Sequence, residues 1–266
     1  MTTITVRERN TITHEFHEPA ATTARRKTDG VCTMIRLRDV SLRLGNANQS
    51  SSVRFHLPVF EVAAGETVAL TGSSGCGKST LLNLIAGLRR ADKGEVNVAG
   101  TDLATLSHAQ LDRHRGAHCG LVFQSFHLLA PFTAIENVSI GLRFGARKGT
   151  NLRKQAIEIL DRVGLGHRLH ARPDQLSVGE RQRVAIARAV AGGASILLAD
   201  EPTGSLDPET GGEIFDLLLE VAAEDGRTLL MVTHDLALAA KLPRNFDCAD
   251  LVHAVAIAPE EEARVA

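Results

Sequence analysis

A glycine-rich segment between a strand pattern and a helix pattern constrains the fold of this chain more than any other feature. Residues 72–80 read Gly-Ser-Ser-Gly-Cys-Gly-Lys-Ser-Thr and match the pattern G-x-x-x-x-G-K-[ST]. The apolar run Thr67–Thr71 before this segment has the length of a buried strand, and a helical pattern extends from Lys78 to about Ala86. Glycines let the backbone curl so that its N–H groups point at phosphate oxygens, and the following helix adds the positive end of its dipole. The segment therefore predicts a phosphate-binding loop.

Lys78 and Ser79 carry the chemistry of such a loop. The Lys78 ammonium supplies a positive charge to the β- and γ-phosphates of a nucleotide, and the Ser79 hydroxyl is a ligand for Mg²⁺. A glycine-rich turn without a ligand is the alternative, which the flanking strand and helix patterns disfavour. We expect all nine residues of the loop to bind nucleotide: Gly72, Ser73, Ser74, Gly75, Cys76, Gly77, Lys78, Ser79 and Thr80.

Strand and helix patterns alternate along most of the remaining chain, which indicates an α/β fold with a largely parallel sheet. Two early segments, Ile35–Leu44 and Val53–Val62, alternate apolar and polar residues and predict an antiparallel edge. Between Ser125 and Ser177 only helical patterns occur, so we expect a helical lobe inserted at about residues 125–177. Further short apolar segments predict strands at Glu95–Val98, Leu121–Phe123, Ile196–Ala199, Leu229–Val232 and Leu251–Val255.

The composition of the chain limits its partners and its surroundings. The 30 Lys and Arg residues and the 31 Asp and Glu residues leave a net charge of −1, which argues against binding to nucleic acid. No apolar run approaches the ~18 residues that span a bilayer. The four cysteines are far apart in the sequence, which favours reduced thiols over a zinc site or a disulfide framework. We expect a disordered N-terminal extension at residues 1–33, a globular domain at 34–258 and an acidic C-terminal tail at 259–266.

Two adjacent carboxylates follow the buried strand pattern Ile196–Ala199. Successive side chains on a strand point in opposite directions, so Asp200 can face a metal ion while Glu201 faces the reacting group. A strand that ends in Asp-Glu is common by itself. Together with a phosphate loop, however, the pair indicates nucleotide hydrolysis.

Residues 176–180 read Leu-Ser-Val-Gly-Glu and lead into the helical pattern Arg181–Val190. Ser177 and Glu180 have the spacing of a capping box, in which each side chain bonds the backbone N–H of the other residue. A purely structural cap is therefore one interpretation. The other is an anion-binding site, because a helix N-terminus attracts anions and Gly179 leaves the backbone open to close approach.

Taken in order, these motifs resemble the ATP-binding subunit of ATP-binding-cassette (ABC) transporters over about residues 34–255. The resemblance extends to Gln124, Ser205-Leu206-Asp207 and His234. Details such as Val122–Phe126 are similar to the branch that contains lipoprotein-releasing and macrolide-exporting ATPases and a cell-division ATPase. The resemblance implies a RecA-like P-loop NTPase core with an antiparallel edge sheet and an inserted helical lobe, and a subunit that hydrolyses ATP with Mg²⁺.

The resemblance also implies roles for individual residues. Glu201 activates the attacking water, His234 contacts the γ-phosphate, and Gln124 touches both the metal and the water. By itself, a histidine such as His234 is more often a solvated turn residue. The expected catalytic residues are Glu201, His234, Gln124 and Lys78, and the expected metal ligands are Ser79, Gln124 and Asp200. A second subunit would supply Ser177, Gly179 and Glu180 to the nucleotide, with Asp207 across the dimer interface.

The same resemblance implies a homodimer with ATP at its interface, bound to an integral-membrane permease on the cytoplasmic face of the inner (plasma) membrane. The permease would select the substrate, and the branch favours export or extraction from the membrane. The alternative is a signalling ATPase that regulates an extracytoplasmic enzyme through a permease that transports nothing.

The chain contains neither Trp nor Tyr. Family members usually stack the adenine on an aromatic side chain upstream of the phosphate loop, where this chain has Leu44 or Gly45. Phe55 is the aromatic candidate nearby, and the alternative is that it belongs to the core. We therefore expect weak discrimination between ATP and GTP.

Overall fold

The computed structural model describes residues 32–44, 52–146 and 151–257. The acidic tail and all but the last two residues of the expected N-terminal extension lie outside these ranges. Within the ranges, no helix is both long and apolar enough to cross a lipid bilayer.

Strands and helices alternate through the described part of the chain. In order they are β1 (Thr33–Leu44), β2 (Ser52–Ala63), β3 (Thr67–Thr71), α1 (Lys78–Ile85), β4 (Lys93–Val98), β5 (Thr101–Asp102), α2 (His108–His118), β6 (Cys119–Phe123), α3 (Ala134–Phe144), α4 (Leu152–Arg162), α5 (Val178–Ala191), β7 (Ile196–Asp200), α6 (Pro208–Glu224), β8 (Thr228–Val232), α7 (Leu236–Ala239), β9 (Arg244–Asp247), α8 (Cys248–Leu251) and β10 (His253–Ile257).

The strands assemble into two five-stranded sheets. The first is antiparallel with the order β10-β2-β1-β4-β5, and Leu37 of β1 lies opposite Phe60 of β2 and Val96 of β4. The second is parallel with the order β6-β7-β8-β3-β9, and Ala69 of β3 pairs with Met231 of β8. The predicted α/β fold is confirmed, and the antiparallel strands form a sheet of their own.

Burial explains why the two sheets have different sequence patterns. All five residues of β8 are buried, as expected for a parallel strand that is covered on both faces. In β1, by contrast, Ile35 and Leu37 are buried while Arg36 and Arg38 are partly or fully exposed. Such alternation is typical of a strand with one face on the core.

The parallel sheet is the central layer of the domain. Leu198 and Leu230 pack with the antiparallel sheet and α1, whereas their neighbours Leu197 and Leu229 pack with helices α3 to α6. In this central layer β8 lies between β3 and β7, so the sheet fixes the positions of these two strands relative to each other. The loop after β3 is the phosphate loop, and the turn after β7 carries Glu201.

The elements near residue 250 differ from the sequence-based prediction. The strand predicted at Leu251–Val255 has the wrong limits, because Cys248–Leu251 form α8 and the strand begins at His253. Asp247 accounts for the helix, since its side chain accepts a hydrogen bond from the N–H of Ala249 and caps α8. The strand then joins β2 in the antiparallel sheet. β9 was not predicted, because this edge strand is mostly exposed and polar.

Candidate nucleotide-binding site

The loop between β3 and α1 has the conformation that its glycines were expected to provide. Gly72, Gly75 and Gly77 have φ angles of 133°, 82° and 114°, in the region that side chains disfavour. At Gly77 there is also no room, because a Cβ would lie 2.8 Å from Cε2 of Phe55. Phe55 is fully buried, so it is a core residue that packs against the loop at Gly77 and does not stack on the nucleotide base. Gly45 and the side chain of Leu44 lie outside the described residues.

The N-terminus of α1 is suited to an anion. Gly77 is the N-cap residue, no side chain caps the helix, and its first turn contains no acidic residue. The N–H groups of that turn therefore remain available to phosphate oxygens. Lys78 lies over the loop, where its Nζ donates to the carbonyl oxygens of Gly72 at 2.7 Å and Ser73 at 2.8 Å.

A cavity of about 450 Å³ joins this loop to three other segments. It brings together the expected residues of the phosphate loop, the end of β6, the end of β7 and the turn after β8. Its lining consists of Gly72, Ser74, Gly75, Gly77, Lys78, Ser79, Thr80, Gln124, Asp200, Glu201 and His234. Ser73 and Cys76 belong to the loop but do not line this cavity.

The expected metal ligands meet at one side of the cavity. Ser79 Oγ donates a hydrogen bond to Asp200 Oδ2 at 3.3 Å, and Gln124 lines the same space. Ser205 Oγ donates to the backbone oxygen of Gln124 at 3.4 Å and helps to place that residue. Hydroxyl, carboxylate and amide oxygens are ligands that Mg²⁺ accepts, so this set of side chains fits the ion.

Burial raises the pKa of Asp200 above its usual value. The negative charge of Glu201 raises the pKa further, while the hydrogen bond from Ser79 and the charge of Lys78 oppose the shift. A divalent cation beside Asp200 would favour the ionised carboxylate in the same way as the lysine charge does.

Glu201 stands at a sharp turn immediately after β7. Its φ is 48°, its N–H donates to the oxygen of Val232 at 2.9 Å, and its carbonyl accepts from the N–H of Gly204 at 3.1 Å. The expected alternation along a strand does not apply to this pair, because β7 ends at Asp200 and Glu201 lies in the turn. Both carboxylates nevertheless line one cavity.

His234 holds the Glu201 carboxylate. The backbone N–H of His234 donates to Glu201 Oε2 at 3.2 Å, and the ring Nδ1 lies 2.8 Å from the same oxygen. Since an ionised carboxylate can only accept, we assign the proton of this contact to Nδ1. The Glu201 side chain is 18% exposed, so one face of it remains accessible from the cavity. The pair can therefore accept a proton from a water molecule in the cavity.

Ser177 and Glu180 form the capping box that their spacing indicated. Ser177 Oγ accepts from the N–H of Glu180 at 3.1 Å, and Glu180 Oε2 accepts from the N–H of Ser177 at 2.8 Å. The latter bond is the main cause that lowers the pKa of Glu180, with the Arg168 guanidinium contributing at 2.9 Å. A Cβ on Gly179 would lie 2.7 Å from Cγ2 of Thr210, so α6 already approaches this glycine within the same chain.

Residues 177–180 are not among the residues that line the cavity beside the phosphate loop. Asp207 lies outside it as well and is the exposed N-cap residue of α6, where Oδ1 accepts from the N–H of Thr210 at 3.0 Å. That bond is the main cause that lowers the pKa of Asp207. The structure thus brings one part of the expected site together in this chain and leaves the other part on a separate surface.

Gln182 is a positioning residue that the sequence analysis missed. It lies fully buried on α5, and its Nε2 donates to the oxygen of Pro202 at 2.8 Å. Gln182 therefore ties the start of α5 to the turn that carries Glu201. The available signal was helical spacing, because Gln182 lies three and four residues before the apolar Ala185 and Ile186 on the buried face of α5.

The fold and the site define a phosphate-loop ATPase with a cassette architecture. Residues 57–204 match the family model described as "ABC transporter", and the chain belongs to this family. It is therefore an ATPase of the ABC type. The order of the motifs in the sequence and the residues that line the cavity both agree with this assignment.

The chain is similar to lipoprotein-releasing system ATP-binding proteins named LolD. It is 48% identical to the protein from Hydrogenovibrio crunogenus over 187 residues, which cover 70% of this chain and 81% of the relative. It is 44% identical to a relative from Xanthomonas campestris pv. campestris over 207 residues, which cover 76% and 86%.

Two solved structures of the ABC cassette MJ0796 have the same fold. One is a dimer in a post-hydrolysis state bound to ADP and Pi, with a TM-score of 0.70 and 38% identity over 80% of this chain and 94% of that chain. The other is a dimeric structure with a TM-score of 0.70 and 36% identity, which covers 84% of this chain and 98% of that chain.

Proposed function

We propose that this chain is the ATP-hydrolysing subunit of a transporter that releases lipoproteins from the membrane. It would act as a homodimer, with ATP at the interface, attached to a permease on the cytoplasmic face of the inner (plasma) membrane. The observation that carries the homodimer with ATP at its interface is the division of the site. The cavity contains the phosphate loop and Glu201, whereas Ser177–Glu180 lie on another surface of the chain.

Two subunits arranged head to tail would complete the site. The phosphate loop of one subunit would face Ser177 and Gly179 of the other, so that the γ-phosphate is contacted from both sides. The solved cassettes with the same fold are dimeric, which supports a homodimer. The capping box has a function in it as well, because it fixes the helix N-terminus that would point at the phosphate.

Six side chains of the cavity have a role in the proposed hydrolysis. Lys78 and the N–H groups of α1 stabilise the charge on the phosphates, and Glu201 accepts the proton of the attacking water. His234 keeps the Glu201 carboxylate oriented through its 2.8 Å contact. Ser79, Asp200 and Gln124 would hold Mg²⁺, which neutralises charge on the β- and γ-oxygens.

The names of the relatives support lipoproteins as the cargo. The proposal is tested in proteoliposomes that contain the cognate permease and an acylated lipoprotein, to which the purified chain is added. We expect Mg·ATP to release lipoprotein into the solution, and the Glu201→Gln variant to release none. Hydrolysis without release of any lipoprotein would contradict the proposal and favour the signalling alternative.

A further inference from the structure

The phosphate loop packs against a second cysteine that is distant in the sequence. Cys76 lies in the loop and is partly buried, while Cys248 is fully buried at the start of α8. Cys248 Sγ donates a hydrogen bond to the backbone oxygen of Cys76 at 3.1 Å. The parallel pairing of β3 with β9 produces this contact, because Thr71 before the loop pairs with Asp247 before Cys248.

The space beside Gly72 lies next to the side chains of both Cys76 and Cys248. A Cβ on Gly72 would lie 3.0 Å from the Cβ of Cys248 and 3.0 Å from the Sγ of Cys76. The two cysteines therefore flank the same small space, which stays open because residue 72 has no side chain. A disulfide needs the two Cβ atoms about 3.5–4.5 Å apart, so joining the sulfurs requires both side chains to turn toward this space and the loop to adjust.

We propose that Cys76 and Cys248 form a reversible disulfide when a hydroperoxide oxidises the protein, and that this disulfide inhibits ATP hydrolysis. The two thiols do not line the nucleotide cavity, so this oxidation would act in addition to the ATPase and transport functions described above.

The accessibility of the two thiols sets the order of the steps. Cys76 is the more exposed, so its sulfur attacks the peroxide oxygen, the O–O bond breaks, and the second oxygen leaves as water or alcohol. Cys76 is then a sulfenic acid. Cys248 attacks that sulfur, the S–O bond breaks, and the oxygen leaves as water with the proton of Cys248. Two thiols are thus oxidised by two electrons, and a dithiol reverses the reaction by exchange.

Burial raises the pKa of Cys248, and contact with the Cys76 side chain raises it further. The thiolate fraction of Cys248 is therefore small, so peroxide reacts first at Cys76, and Cys248 loses its proton only as it attacks the sulfenic acid beside it. Cys119 in β6 is partly buried as well, and its pKa is raised to about 12 by burial. It is a weak competitor for peroxide.

A disulfide at this position would restrain the loop without filling the cavity. Cys76 immediately precedes Gly77 and Lys78, and Lys78 Nζ lies 3.7 Å from Cys76 Sγ. Joining Cys76 to α8 would remove the bond from Cys248 to the Cys76 carbonyl and hold the N–H groups of the loop away from their phosphate-binding positions. A displacement of about 1 Å at a catalytic group costs ~10²-fold in rate. We therefore expect hydrolysis to fall by about tenfold to a hundredfold.

The experiment compares the full-length wild-type protein with Cys248→Ser before and after treatment with hydrogen peroxide. Serine at residue 248 keeps a donor for the Cys76 carbonyl and leaves the untreated ATPase rate unchanged. We expect peptide mapping of oxidised wild type to show Cys76 linked to Cys248, with a mass lower by two hydrogen atoms. Dithiothreitol should then restore hydrolysis to the wild-type protein.

The Cys248→Ser protein should form no such link, and dithiothreitol should recover less of its activity because Cys76 oxidises past the reversible stage. A Cys248→Ala protein serves as a second variant if the serine form does not fold. The proposal fails if oxidised wild type contains Cys76 only as sulfinic acid or linked to another subunit. It also fails if the intramolecular disulfide forms and hydrolysis continues at the original rate.

Discussion

Replacing Glu201 with glutamine separates ATP binding from hydrolysis more cleanly than any other change in the site. Glutamine has the size of glutamate, and its amide oxygen can accept the hydrogen bonds that His234 gives to Oε2 at 3.2 Å and 2.8 Å. The turn at residue 201 therefore keeps its contacts. The substitution removes the negative charge and the group that accepts a proton from water.

The hydrolysis rate should fall by the amount that the loss of a general base costs. Loss of a general base typically costs ~10²–10⁴-fold in rate, which is a rise of about 2.7–5.4 kcal/mol in the barrier. Binding should survive, because the bonds from Lys78 Nζ are to Gly72 and Ser73 and do not involve Glu201. The charge of Glu201 also raises the pKa of Asp200, so its removal favours the ionised form that binds Mg²⁺.

A subunit that binds ATP without hydrolysing it should accumulate as a dimer. We expect size-exclusion chromatography with light scattering to show dimers of Glu201→Gln in Mg·ATP and monomers without it. Glu220→Gln is the matched control, since Glu220 is exposed on α6 outside the cavity. Adding Ser177→Arg should abolish the dimer, because a bulky cation would occupy the space of the γ-phosphate. A Glu201→Gln protein that is monomeric at saturating ATP would refute the shared site.

Three further predictions concern the phosphate loop and the base. Lys78→Ala should lower ATP affinity at least tenfold in calorimetric titration, and an unchanged affinity would contradict the role of the loop. The Gly77→Ala protein should unfold at a lower temperature than the Gly75→Ala protein. Both glycines have positive φ, but only a Cβ at residue 77 would meet Phe55. Overpacking of this kind costs ~1–3 kcal/mol. GTP should compete with ATP within about a hundredfold, because the chain has neither Trp nor Tyr for base stacking, which is worth ~1–3 kcal/mol, and Phe55 is buried. A larger preference for ATP would show that another residue reads the base.

The parts of the fold that could be predicted are those with a local signal. The phosphate loop follows from its glycines and lysine, and β8 follows from a run of buried apolar residues. The capping box of Ser177 and Glu180 follows from a spacing of three residues. In each of these segments the residues that set the structure lie within one or two turns of each other, so the sequence shows the pattern directly.

The parts that could not be predicted depend on contacts between distant segments. The positive φ of Glu201 accompanies a hydrogen bond from its N–H to the oxygen of the distant Val232, which no pattern around residue 201 indicates. Likewise, nothing near Gly179 predicts that Thr210 will pack against it. β9 was missed because an exposed edge strand needs few apolar residues. Long-range pairing decides all three features.

The pH dependence of stability tests the packing of α2, the helix that leads into β6 and so to Gln124. Burial lowers the pKa of His114, and the neighbouring His118 lowers it further, against the opposing hydrogen bond to the oxygen of Val98 at 3.1 Å. Burial lowers the pKa of His118 as well. The folded state therefore binds protons less readily than the unfolded chain, whose histidines titrate near 6.5.

The sign follows from that difference. The free energy of unfolding should be at its full value above pH 6.5 and should fall as the pH decreases toward the lowered pKa values of the folded state. Each histidine contributes at most ~1.4 kcal/mol per pH unit, and less here because both rings are partly exposed. Urea unfolding at pH 7.5 and 5.5 measures the loss. His114→Gln, whose amide can still donate to Val98, should reduce the loss, whereas His108→Gln at the exposed start of α2 should not. Equal pH dependence in all three proteins would show that His114 is not buried in the neutral form.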